Sequence, residues 1–207
     1  VDYVSEEAFE FEDILRNVSS RYGVFATLGN HDYGDYANWE SAEAKEANML
    51  ELYDFYSDIG WDLLRNENHI IEKGDDKLAV LGIENWSAYS RFPRHGDLDK
   101  ASFGTEQIPF KLLLSHDPTF WTEKVLKKHN DIDLTFSGHT HGFQFGIDIP
   151  RLKWSPAKYM YKHWAGLYSA AEGSGRRQER EQEAGAGAGA GGRRQYLYVN
   201  RGTGTIG

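Results

Sequence analysis

Along the chain, short apolar runs alternate with helical spacings and polar, glycine-bearing stretches, a rhythm that predicts strands joined by helices. Ser5, Glu6 and Glu7 precede apolar positions at Phe9, Ile14, Leu15 and Val18, which predicts a capped amphipathic helix with an acidic first turn, ending near Arg21. Tyr22 to Leu28 is a compact apolar run of the kind a buried parallel strand shows, stopped by Gly29-Asn30-His31-Asp32. Ser41 to Ile59, rich in Ala, Glu, Lys, Leu and Met and closed by Gly60, predicts a second helix. His69 to Glu72 and Lys77 to Ile83, joined through Gly74-Asp75-Asp76, predict a hairpin. Trp86 to Gln107 reads as loop, Phe110 to Leu114 as a strand ending in Ser115-His116-Asp117-Pro118, and Phe120 to His129 as a helix. Leu134 to Phe136 is a further strand, ended by Ser137-Gly138, and Lys158 to Ser169 is expected to pair with Gln195 to Asn200.

Three of these strands finish in histidine-bearing loops. In an open α/β sheet the carboxyl ends of the strands are where ligands bind, so the coincidence points to one site. His139 and His141 are one residue apart, so in an extended loop both imidazoles can face one way, and Gly138 and Gly142 permit the backbone angles that would bring them to one ion. Neutral imidazoles suit zinc, manganese or iron.

Composition narrows the chemistry. The chain has 207 residues, 40% of them hydrophobic and 27% charged, enough for one domain, 1–207, with a substantial core. A net charge of -9 disfavours a general binder of nucleic acid or anionic membrane unless bound cations reverse the local field. With no cysteine, any metal falls to His, Asn, Asp and Glu. No run approaches the roughly 18 apolar residues of a membrane span. Residues 172–192, a charged run and then an Ala-Gly repeat, carry too little apolar bulk to pack and read as a disordered insertion at a hairpin tip.

Taken in order, Gly29-Asn30-His31-Asp32, Ser115-His116-Asp117 and Gly138-His139-Thr140-His141 resemble the motifs of the calcineurin-like metallophosphoesterase superfamily. Leu114-Ser115-His116-Asp117-Pro118, Gly142-Phe143-Gln144-Phe145-Gly146 and Tyr198-Val199-Asn200-Arg201-Gly202 are most similar to its bacterial, membrane-associated members. The resemblance implies a four-layer α-β-β-α sandwich of two mixed sheets. It also implies a dinuclear site of divalent Mn, Fe or Zn ions that activates a water against a phosphomonoester, phosphodiester or pyrophosphate. On this pattern Asn30, His116 and His139 are ligands of one metal, His141 is a ligand of the other, and His31 is the acid beside them. The family's Asp-x-His and the Gly-Asp whose carboxylate bridges the metals do not occur before Gly29, and Val1-Asp2 fits the tail of the second motif. The chain therefore reads as a fragment, truncated at both ends, in which Asp2 partners His31. Gly96-Asp97-Leu98-Asp99 mimics the missing motif but comes late and follows no apolar strand. The implied substrate is a phosphate ester, lipid- or nucleotide-linked, with no nucleic acid; the implied whole protein is a membrane-associated bacterial monomer. The rival expectation is a non-catalytic metal-binding or scaffold module with a degenerate site.

Other candidates have plainer readings. His129, after Lys127 and Lys128, complements a helix end; His69 and His163 sit in strand patterns as packing or surface residues. His95, Arg91 and Arg94 lie in the long loop, where phosphate contact and simple solvation are equally compatible with their types. Trp154, Tyr159 and Tyr161 read as core or rim.

Overall fold

The structure, a computed structural model, describes residues 1, 3–142, 147–149, 152–171, 180–182 and 193–202. Its frame is a seven-stranded mixed sheet in the order β10-β9-β11-β6-β5-β4-β3. These strands are β3 (Glu67–Lys73), β4 (Asp76–Gly82), β5 (Phe110–Leu114), β6 (Leu134–Ser137), β9 (Gly166–Ala171), β10 (Arg180–Gln182) and β11 (Arg194–Val199). β4, β5, β6 and β11 run parallel; at the margins β3 and β9 run against them, and β10 pairs antiparallel with β9. A parallel pair, β1 (Phe25–Ala26) with β2 (Asp62–Leu63), and an antiparallel pair, β7 (Ile147–Ile149) with β8 (Leu152–Trp154), complete the strands described. The α/β class with mixed sheets is thus realised. Among the described residues the sheets beside the large one are the two-stranded β1–β2 and β7–β8 pairs.

Burial explains the strand faces. Inward-facing Ala79, Leu81, Leu113, Tyr168, Ala170, Leu197 and Val199 form one cluster with Phe120, Trp121, Val125 and Leu126, from the turn of π-helix Trp121–Val125 and the short helix α5 (Leu126–Lys128). A second cluster seats helix α3 (Ala42–Asp58), through Met49, Leu52, Tyr53 and Tyr56, on Leu28, Tyr33 and Leu63. Ser41 caps α3 by accepting the Ala44 N–H.

Some local expectations change. The single amino-terminal helix is two, α1 (Glu6–Phe9) and α2 (Glu12–Arg16), and Ser5 does not cap the first: its N–H binds Asn48 Oδ1 at 2.7 Å and its hydroxyl donates to Glu51 at 2.6 Å. The strand at 22–28 narrows to two residues. Loop 86–107 contains the helix α4 (Leu98–Ser102), capped by Asp97 accepting the Lys100 N–H. Lys158 lies in a 3₁₀ turn, Pro156–Tyr159, so the strand pairing with β11 starts at Gly166. Of the insertion at 172–192, Arg180–Gln182 is described as an edge strand on β9; the rest lies outside the described residues.

Asn66 ties the β3–β4 end of the sheet to the loop that follows. It is buried, has a φ of 59°, donates to Glu84 Oε2 (2.9 Å) and the His95 carbonyl (3.0 Å), and accepts from the Glu84 (3.2 Å) and Asp97 (2.7 Å) N–H groups. Asn tolerates that left-handed backbone better than branched residues do. Asn66→Ala strands several buried partners at once and is expected to cost about 2–4 kcal/mol in urea unfolding. A loss below about 0.5 kcal/mol, the range of an ordinary surface change, would show that the loop is held elsewhere.

Candidate metal centre

The parallel register continues past the strands and sets the site. Beyond β5 and β6, Ser115 N–H binds the Phe136 carbonyl (3.0 Å) and Gly138 N–H binds the His116 carbonyl (2.9 Å); beyond β11, Asn200 N–H binds the Ser137 carbonyl (2.7 Å). The loop after β1 joins the same edge, since the Thr27 hydroxyl donates to the Ile83 carbonyl at the end of β4. Gly29 then passes directly under His116: a Cβ there would lie 2.8 Å from the imidazole Cε1 and Nε2. That close approach is why glycine opens the Gly-Asn-His-Asp stretch.

Asn30, His116 and His139 meet at this edge. His139 Nδ1 is 2.8 Å from Asn30 Oδ1 and 3.1 Å from His116 Nε2, and His116 Nε2 is 3.1 Å from Asn30 Oδ1. Asn30 Oδ1 faces the histidines, and the amide's Nδ2–H donates to the Tyr36 hydroxyl at 2.8 Å. Ligands about 2.1 Å from one divalent ion stand about 3 Å apart, so one amide oxygen and two ring nitrogens at these separations fit a single cation. Among the described residues no group of three or more His, Asp or Glu side chains gathers this way; the trio includes an amide.

Both histidines are kept neutral. Burial pushes His116 well below the usual imidazole range, helped by repulsion from His139, His141, His31 and the terminal ammonium of Val1. Burial pushes His139 down to about 4, opposed by Asp117 and reinforced by His141, His31 and Arg91. Neutral rings present the lone pairs a metal needs.

The far side of His139 is also built. Its Nε2 lies 2.8 Å from the Tyr161 hydroxyl and 3.4 Å from Asp117 Oδ2. Asp117 is wholly buried; its Oδ1 accepts from the Thr119 N–H (2.8 Å) and hydroxyl (2.6 Å), and its Oδ2 has no hydrogen-bond partner of its own. A carboxylate oxygen aimed at the second ring nitrogen is the arrangement that orients a metal-bound imidazole. Burial and then Asp117 push the Tyr161 hydroxyl up to about 12, and Arg91 beside it holds it down. Phe92 meets the His139 ring edge-on at 4.8 Å.

The His139 loop carries the strain. His139 has a φ of 65° within a three-residue turn closed by Thr140 N–H on the Gly138 carbonyl (2.7 Å), and His141 has a φ of 48°. The unusual angles thus sit on the histidines, not on Gly138 and Gly142. Gly142 is needed for close approach instead: a Cβ there would lie 2.2 Å from the Trp164 carbonyl. Thr140 donates to that same carbonyl at 2.8 Å, clamping the turn on the Tyr161-Trp164-Ala165 cluster.

Of the remaining sequence candidates, His31 and His141 stand close enough to repel both trio histidines, and the others are dispersed. His31 stacks on Tyr36 at 4.5 Å, half-buried beside the trio, and His141 is exposed. Asp2 lies outside the described residues. His129 faces Asp99 (3.7 Å), His69 faces Asp62 (3.6 Å), and His163 is buried between Trp121 and Tyr168. Asp117, Tyr36, Phe92 and Tyr161 were not singled out as site residues by sequence. Asp117 alone carried a signal, following His116 at a strand end with Thr119 two positions on.

The profile of the calcineurin-like phosphoesterase family matches residues 2–143, more than half of the chain. The bovine "Transmembrane protein with metallophosphoesterase domain" is 29% identical over 169 residues, covering 76% of this chain and 34% of that protein. An uncharacterized metallophosphoesterase of Helicobacter pylori is 29% identical over 166 residues (79% and 40%), and metallophosphoesterase YkoQ of Bacillus subtilis 28% over 130 (63% and 42%). The chain spans between a third and a half of the length of these relatives.

The depressed pKa of His139 has a pH consequence for the metal-free chain. Unfolding returns the imidazole to about 6.5, so between pH 6.5 and 4 the unfolded chain binds more protons and stability falls as pH falls. Urea unfolding in a chelator at pH 7.5 and 5 should show this loss, and His139→Gln should make the slope shallower. An unchanged slope in the variant would mean His139 titrates normally.

Proposed function

The chain belongs to the calcineurin-like phosphoesterase family, and from that premise we propose that it forms the metal-dependent hydrolytic site of a phosphoesterase acting on a phosphomonoester, phosphodiester or pyrophosphate. The observation that carries this is the convergence of Asn30 Oδ1, His116 Nε2 and His139 Nδ1 within 3.1 Å from three separate strand ends. In this reading these three hold one divalent ion, of Mn, Fe or Zn type, and His141 contributes to a second. Such ions, when bound, neutralise phosphoryl oxygens and lower the pKa of a water that attacks in line.

The chain's own residues do the rest. Asn30, a neutral ligand held by Tyr36, leaves the site electrophilic. Asp117 and Tyr161 fix the His139 ring from behind so that Nδ1 faces the ion. His31, beside Asn30, holds the proton that the departing alkoxide takes up. Its proposed partner is Asp2.

A second reading, a non-catalytic metal-binding or scaffold module, is favoured only if the whole protein also lacks the Asp-x-His and Gly-Asp motifs. Membrane association of the whole protein is likewise a proposal. Among the described residues no helix is long and apolar enough to cross a membrane.

Two measurements separate the readings. The 207-residue chain alone is expected to take up at most one ion per chain, weakly, and to leave aryl phosphates intact; two ions and appreciable turnover would contradict this. In the whole protein, His31→Ala should lower turnover by about 10² to 10⁴-fold with metal content unchanged, whereas His139→Ala should lose both. If His31→Ala sheds its metal or keeps full activity on a poor leaving group, the roles given to Asn30 and His31 are wrong. If the unmodified whole protein binds metal yet hydrolyses no phosphate ester, the scaffold reading stands.

A further inference from the structure

The loop between Asn85 and His95 is fastened rather than loose. Arg94 donates through Nε to the Ser87 carbonyl (2.8 Å) and through Nη2 to the Ala88 carbonyl (2.7 Å). Asn85 donates to the Pro93 carbonyl (2.9 Å), Ala88 N–H to the Thr119 hydroxyl (2.9 Å), and the Tyr89 hydroxyl to the Met160 carbonyl. Arg94 is therefore structural. Arg91, on the same loop, is exposed, and its guanidinium lies 4.6 Å from the Phe92 ring and 5.9 Å from the Tyr89 ring, beside the Tyr161 hydroxyl. None of these neighbours is a carboxylate.

This cation stands at the mouth of a cleft that borders the metal centre at the ring of His139. Phe92 and Tyr161 both touch His139, and Tyr89 meets Tyr161 edge-on at 5.5 Å. One hollow of about 350 Å³ is lined by Tyr89, Ser90, Arg91, Tyr159 and Met160; a neighbouring one of about 330 Å³ shares Tyr89 and Met160 and extends past Tyr161 and Pro118 to a polar end at Thr122, Glu123 and Lys162. Both fall in the range of small-molecule pockets. Around them Tyr159 is 74% exposed, Met160 49% and Tyr89 37%, a cluster of large apolar side chains left to water beside a site for anions.

We infer that this cleft seats the alcohol moiety of the substrate and that this moiety is apolar, so that the chain is shaped for a phosphate ester of an apolar alcohol, with Arg91 meeting the phosphoryl oxygens. The inference rests on the phosphoesterase reading above and narrows its substrate class. Tyrosine rings and a methionine offer adaptable apolar contact and few directional hydrogen bonds, which matches a hydrocarbon or aryl group better than a sugar. A polyanion is disfavoured, because with a net charge of -9 this chain sets only Arg91 and Lys162 along the cleft, with Glu123 among them, rather than a basic track. The anchored loop means that the cleft need not be ordered on binding.

The test uses the whole protein loaded with manganese. Binding of octylphosphonate and methylphosphonate is measured by calorimetry, and hydrolysis of octyl and methyl phosphate is measured alongside. Octylphosphonate should bind at least about ten-fold tighter than the methyl probe. Met160→Glu should abolish that advantage, and Tyr159→Ser, at a position too exposed to burden folding, should reduce it. Arg91→Gln should weaken both probes with metal content unchanged. Equal binding of the two probes, or an octyl advantage that survives Met160→Glu, overturns the inference. Hydrolysis of both esters with equal kcat/KM also overturns it while the phosphoesterase reading stands. An octyl preference in binding with no hydrolysis of either ester keeps the cleft and sinks the hydrolase.

Discussion

Everything at the candidate centre depends on the parallel register of β5, β6 and β11 being carried one or two residues beyond the strands. The hydrogen bonds from Ser115 to Phe136, from Gly138 to His116 and from Asn200 to Ser137 bring main chains from distant parts of the sequence level with one another. A slip of one residue would turn every side chain to the other face and remove His116 from His139. The buried side chains Leu113, Leu197 and Val199 hold that register, since a slip would turn them to the opposite face. Packing in the core thus sets the distances between donors at the edge.

A second constraint is local. The turn at His139 adopts a backbone that non-glycine residues rarely take, and it persists because Thr140 and Gly142 are both pinned to the Trp164 carbonyl region. Strain there is offset by buried contacts a few residues away. Its effect is to turn a buried imidazole toward Asn30 and His116 while the exposed His141 remains outside the trio. Burial, not a charged partner, is the main cause that keeps both trio histidines neutral, so the same packing that fixes the geometry also prepares the lone pairs.

How much of this was legible varies with the range of the interaction. The limits of β5 match the apolar run Phe110–Leu114, α3 follows its cap and its glycine stop, and the hairpin follows its turn residues. Each of these is encoded by neighbours in sequence. β1 lies inside the apolar run Tyr22–Leu28, which marks a strand longer than the two residues that pair, whereas its partner β2 was not separable from loop, because so short a pairing leaves no period. Helix α4 was hidden in a loop reading although Asp97 supplied a cap. In the site, the motifs indicated Asn30, His116 and His139, but Tyr36, Phe92 and Tyr161 reach it through contacts that no local pattern records. Tyr161 looked like a core or rim residue, and it is buried; its hydroxyl, 2.8 Å from His139, gives it a second part.

The central claim is that Asn30, His116 and His139 share one ion, and anomalous scattering from a manganese-loaded crystal tests it most directly. A peak about 2.0–2.3 Å from Asn30 Oδ1, His116 Nε2 and His139 Nδ1 together is expected. A peak coordinated by His141 alone, or no peak at this edge of the sheet in crystals that hold manganese elsewhere, would contradict it.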